Sequence, residues 1–148
     1  MGVVYRFRKE RLQDGGTVAR PKIPVRLSWD AATVDVVALI DSGCDVTVIP
    51  QSLAEAIGVS TTGTSQPLVG FREESAVVEA KVDITFLGRR ERQETTLHHV
   101  PVLVVLRDDR FAEETEIVLG LAKVFDEFDI TFRRSRNRIE LKASTRPR

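Results

Sequence analysis

The chain has one cysteine, one methionine, one tryptophan and one tyrosine in 148 residues, and only two histidines. A lone Cys44 excludes an intramolecular disulfide and suits a reducing compartment. The histidines, His98 and His99, are adjacent, so on a strand they point to opposite faces, and no spaced set of partners completes a metal site. No apolar run approaches the ~20 residues needed to span a bilayer. The opening Met1-Gly2-Val3-Val4-Tyr5-Arg6 lacks an apolar signal core, and Arg6 stands where a myristoylation signal needs Ser or Thr. A soluble, cytoplasmic protein with no membrane partner is expected.

Net charge is absent too, with 22 basic against 22 acidic side chains. The balance conceals a pattern, because residues 1–26, 27–132 and 133–148 carry +5, −11 and +6. Basic ends on an acidic middle suit either an anionic partner or packing against the body or a second copy. The basic residues alternate with apolar ones instead of running together, which predicts packing and no nucleic-acid partner. A nucleic-acid binder would need both ends to make one continuous positive face and would lose affinity steeply with salt. The length predicts one domain over residues 1–142, with 143–148 as a frayed tail.

What is present is mostly strand pattern. Val3 to Phe7 alternates, and Asp14-Gly15-Gly16 supplies a turn before Val18 to Leu27, which predicts a hairpin. Pro21 and Pro24 place that second strand at an edge or delay its start. Val34 to Ile40 is nearly continuous in apolar residues and predicts a strand buried on both faces. Val46 to Ile49 is strand-like, and Pro50 opens a short helix over Gln51 to Ile57 that Gly58 closes. The polar Ser60 to Gly70 and the strand Ala76 to Leu87 predict a mobile hairpin, and Thr95 to Leu106 a further buried strand. Leu121, Val124, Phe125 and Phe128 share one face of an expected core helix. Ile130 to Phe132 and Arg138 to Leu141 form a closing hairpin turned at Ser135-Arg136-Asn137. Asp108, Asp109, Glu113 and Glu114 solvate a loop, and Arg133, Arg134, Arg136 and Arg138 decorate an exposed hairpin.

Asp41 ends the most apolar stretch of the chain, where a carboxylate costs desolvation free energy unless something satisfies or uses it. Ser42 offers a hydroxyl across a tight turn, and Gly43 permits close approach of a second backbone. Cys44 with His98 or His99 has the residue types of a thiol nucleophile and base, yet no group orients the base, so Cys44 is expected to be buried filler.

The stretch Ala38-Leu39-Ile40-Asp41-Ser42-Gly43-Cys44-Asp45-Val46-Thr47-Val48-Ile49 resembles the hydrophobic-hydrophobic-Asp-Thr/Ser-Gly-Ala signature of the retropepsin-like (clan AA) aspartic peptidases. Further along, Ile117-Val118-Leu119-Gly120 resembles that family's second signature, in which two apolar residues and a glycine pass behind the active-site loop. The resemblance implies an all-β fold, mainly β with two short helices: a retropepsin-like barrel with one lobe per chain, paired as a homodimer. It implies that Asp41 is catalytic and that Ser42 and Gly43 support its loop. Asp45 and a flap tip at Leu68, Val69, Gly70 and Phe71 would bind a polypeptide substrate. The implied activity is aspartic endopeptidase, with Asp41 of two copies activating a water, no metal and no cofactor. A catalytically silent module of the same fold, which holds peptides without cleaving them or serves dimerisation, is the alternative. Two positions depart from the family pattern. Leu121-Ala122 replaces Arg followed by Asp or Asn, which removes the usual cation beside Asp45, and Cys44 replaces the commoner Ala.

Overall fold

A computed structural model describes residues 2–63, 66–69, 74–89, 93–106 and 117–144. Among the described residues twelve strands and two short α-helices follow one another. They are β1 (Gly2–Tyr5), β2 (Arg8–Arg11), β3 (Thr17–Arg20), β4 (Lys22–Trp29), β5 (Ala32–Ile40), β6 (Thr47–Pro50), α1 (Gln51–Ala56) and β7 (Gln66–Val69). Then come β8 (Glu74–Phe86), β9 (Thr95–Val105), β10 (Ile117–Leu119), α2 (Val124–Glu127), β11 (Phe128–Arg133) and β12 (Arg138–Ala143).

Six strands close into a barrel in the order β4-β5-β10-β6-β9-β8, with β8 returning to β4 and β7 added beside β8. Closure removes the exposed edges that an open sheet would present. The interior is aliphatic, with Ile23, Val25, Leu27, Ile49, Val82, Ile84, Val100, Val102, Val104 and Leu119 all buried. Phe86 meets Phe128 edge-on at 4.9 Å, joining the barrel to the strand that follows α2. A second sheet, β1-β12-β11, lays Val3, Tyr5, Ile139 and Leu141 against this core.

Several expectations are refined. The Asp14-Gly15-Gly16 turn is present, with Gly15 at φ +88° and Gly16 N–H donating to Asp14 Oδ1 at 2.8 Å. It joins β2 to β3, however, and Val3 to Tyr5 pair instead with β12, in the register Val3↔Leu141 and Tyr5↔Ile139. The buried inner face of β1 finds its apolar partner there. β4 is not an edge strand, since it pairs with β5 on one side and β8 on the other. Pro24 is accommodated because pairing with β8 begins one residue later, at Val25↔Phe86.

β5 is not buried on both faces: Val37 is 40% exposed, and only the stretch from Ala38 to Ile40, where β10 runs alongside, is well covered. A closed barrel has an outside, and Thr33, Asp35 and Val37 face it. The expected helix from Leu121 shrinks to one turn, α2, with Leu121 exposed and Phe128 passing into β11. Lys123 at φ +65° breaks the helical path, and the amides of Leu121 and Ala122 are spent on another loop.

Other features agree with the pattern. Pro50 precedes α1 and Gly58, at φ +79°, ends it, with Gly58 N–H donating to Glu55 O and Val59 N–H to Ala54 O. The β11–β12 turn passes through a 3-10 turn over Arg134–Arg136 and a left-handed Asn137. Arg133, Arg134, Arg136 and Arg138 are exposed around it, and Arg134 lies over the Phe7 ring at 5.6 Å. β12 runs to Ala143, and Ser144 N–H donates to Glu127 O. Asp108, Asp109, Glu113 and Glu114 lie outside the described residues.

Candidate active site

β5 delivers Asp41 to the end of the barrel, and residues 41–46 turn before β6 begins. Asp41 is half-buried, whereas Ser42, Gly43 and Asp45 are exposed. One carboxylate oxygen of Asp41 accepts the Gly43 N–H at 2.8 Å, and its carbonyl accepts the Cys44 N–H at 3.2 Å. A charge-assisted bond from a backbone amide fixes the carboxylate at little entropic cost. A Cβ on Gly43 would come within 3.2 Å of Asp41 Oδ1, so the small residue leaves that oxygen room. Ser42 Oγ has no hydrogen-bond partner among the described residues.

β10 wedges between β5 and β6, parallel to the first and antiparallel to the second. Ile117, Val118 and Leu119 thereby stand beside Ala38, Leu39 and Ile40, and the Asp41 N–H donates to Leu119 O at 3.0 Å. Gly120 then passes directly behind the loop. A Cβ there would fall 2.5 Å from Val46 C and 2.8 Å from Cys44 O, which no side chain tolerates. The amides of Leu121 and Ala122 donate to the carbonyls of Cys44 and Asp45 at 2.8 and 2.9 Å. The two sequence motifs are thus one hydrogen-bonded unit.

Thr47 completes it and was not singled out in the sequence. It is fully buried, and its hydroxyl accepts the Gly120 N–H at 3.1 Å. A hydroxyl inside the apolar run Val46 to Ile49 was the available signal. Lys123 was also missed: its backbone N–H reaches Asp126, and its ammonium reaches the His98 carbonyl.

Cys44 is half-buried and its thiol donates to Val46 O at 3.0 Å. Burial pushes this thiol up from its ordinary value, and the carboxylates of Asp41 and Asp45 add to the effect against the bond to Val46. His98 pairs with Asp83 at 3.2 Å and His99 donates its backbone N–H to Asp83 at 2.9 Å, so neither histidine is coupled to Cys44. The carboxylate of Asp45 is exposed and has no partner among the described residues. Of the expected flap tip, Leu68 and Val69 lie on β7, which pairs with β8 as Leu68↔Ser75 and Val69↔Glu74. Gly70 and Phe71 lie outside the described residues.

This arrangement agrees with known families. A family model described as "Aspartyl protease" matches residues 23–122, which spans β4 through the Gly120 turn. The chain belongs to the aspartyl protease family. Solved structures support the fold. A retropepsin-like aspartic protease from Rickettsia conorii matches with a TM-score of 0.55 at 11% identity, over 95% of this chain and 90% of that one. The retroviral protease-like domain of Ddi1 from Leishmania major matches with a TM-score of 0.55 at 13% identity, over 86% and 90%. The fold is therefore retropepsin-like: mainly β, with two short helices on a closed six-stranded barrel. No curated protein sequence matches the chain. Among the described residues no helix is long and apolar enough to cross a membrane.

Proposed function

We propose that the chain is one subunit of a homodimeric aspartic endopeptidase in which Asp41 of each copy forms the catalytic pair. The observation that carries this reading is the Asp41 loop, a half-buried carboxylate held by Gly43 N–H and braced from behind by Gly120. One such loop exists per chain among the described residues, so a second carboxylate has to come from a second copy about a two-fold axis. Ser42, Gly43, Asp45 and the 36%-exposed Leu121 leave the surface around Asp41 open to that partner.

Two carboxyl groups held close retain one proton between them, because both cannot ionise cheaply. The ionised member removes a proton from water as the oxygen attacks the scissile carbonyl carbon. The protonated member hydrogen-bonds the carbonyl oxygen and stabilises the developing charge. Collapse of the tetrahedral intermediate breaks the C–N bond and returns a proton to the leaving amine. Asp45 and the β7–β8 hairpin, through Leu68, Val69, Gly70 and Phe71, would hold an extended polypeptide, with backbone pairing for affinity and pockets for specificity.

The test is Asp41→Asn, which is nearly isosteric and keeps an oxygen to accept the Gly43 amide. Cleavage of unstructured peptides should be abolished while fold and dimer persist, with mass measured by sedimentation at micromolar concentration. Undiminished cleavage would place the chemistry elsewhere. A parent protein that cleaves nothing at any pH, with both forms binding extended peptides equally, would replace the peptidase by a peptide-holding module.

A further inference from the structure

Away from Asp41 the molecule has a concave site. A cavity of about 650 Å³ opens where the end of β1, the chain leaving β8 and the β11–β12 turn converge. No residue of the Asp41 loop or of residues 117–123 lines it. Four arginines do: Arg6, Arg89, Arg136 and Arg138. Among the described residues no carboxylate lines the cavity, and none of the four has an ion-pair partner. All four are exposed, so together they give this concavity a positive field that solvent screens and that favours an anion.

One neutral side chain points to the same ligand chemistry. Asn137 lines the cavity, and its Oδ1 accepts the Phe7 N–H at 3.1 Å. That assignment fixes the amide orientation and leaves its NH₂ as a donor with no partner among the described residues. Tyr5 also lines the wall, with its hydroxyl turned into the core out of reach of the cavity. The site offers donors and positive charge, which suit a ligand that only accepts.

We infer that this cavity is a binding site for a compact phosphorylated molecule carrying a pyrophosphate group, gripped by Arg6, Arg89, Arg136 and Arg138. Guanidinium forks match phosphate oxygens two at a time, and a pyrophosphate concentrates enough charge to answer several of them. The volume is that of a small-ligand pocket. Val4, Pro24 and Leu87 supply an apolar wall for the organic part of such a ligand. The β1–β12 pairing is what builds the site, because it sets the basic N-terminal segment beside the basic C-terminal hairpin.

The experiment is titration calorimetry on the full chain with inorganic pyrophosphate, ADP and citrate at two chloride concentrations. Pyrophosphate and ADP should bind and citrate should not, with affinity falling as salt rises. Tighter binding of ADP than pyrophosphate identifies a nucleotide as the source, and equal binding identifies the inorganic anion. The double variant Arg136→Gln/Arg138→Gln should lose at least about tenfold in affinity while keeping peptide cleavage unchanged. Arg89→Gln, on the chain leaving β8, gives the same reading should the double variant fail to fold. Absence of binding by both phosphates, equal binding of citrate, or full affinity in a folded arginine variant would overturn the inference.

Discussion

The Gly120 amide donates to the hydroxyl of Thr47, a buried contact that links residues 73 positions apart. It ties the strand end behind the loop to the first residue of β6, so the two motifs stand or fall together.

Thr47→Val preserves shape and removes the acceptor, leaving a buried N–H unsatisfied. The expected loss is about 1–3 kcal/mol, read from urea unfolding, with Thr47→Ser recovering most of it. A variant as stable as the parent would mean that Gly120 finds another acceptor.

Gly120→Ala forces a methyl into the backbone of Val46 and Cys44. Overpacking of this kind costs roughly 1–3 kcal/mol, and here the displaced atoms are the loop that carries Asp41. Peptide cleavage should therefore fall much further than stability does. Proportionate losses would show that the contact serves the fold alone.

Cys44 should react slowly. Its thiol is pushed above the ordinary value by burial, so little thiolate exists near neutral pH. The rate of alkylation should rise with pH along a curve displaced upward from that of a free thiol, and Cys44→Ala should retain most peptide cleavage. Fast labelling at neutral pH, or loss of turnover with an intact fold, would reopen a nucleophilic role.

Asp83 predicts an acid-dependent loss of stability. Burial raises its carboxyl, but the His99 amide and the His98 ring outweigh that and hold it below the ordinary value. A carboxyl depressed in the fold binds fewer protons folded than unfolded. Its contribution is therefore present above the unfolded pKa and lost as pH falls through the folded one. Between about pH 5 and about pH 3 the parent should lose stability more steeply than Asp83→Asn, as followed by urea midpoints. Parallel curves would remove Asp83 from the acid response.

The geometry of the candidate loop was legible because both of its motifs are local strings with a chemical reason for each residue. Asp41 after an apolar strand and Gly120 after another announced themselves, and the turn glycines Gly15 and Gly58 fell where their backbone angles demand them. What escaped was long-range. Nothing local in Val3 to Tyr5 distinguishes pairing with Ile139 and Leu141 from pairing with the nearer Val18 to Leu27. Leu121 to Phe128 has helical spacing, yet the amides of Leu121 and Ala122 gain more from the Cys44 and Asp45 carbonyls than from a first helical turn. Val37 shows the limit of apolar runs, since an aliphatic strand reads the same whether one face or two are covered.

The partner of Gly2 in the β1 register is Lys142. During synthesis the first strand must therefore wait for the last, with Val3 and Tyr5 uncovered until β12 has left the ribosome. Pairings of such sequence separation are slow to form. Folding should accordingly finish at the chain ends: the barrel assembles first, and the arginine-lined cavity, which needs both β1 and the β11–β12 turn, is the last feature to exist.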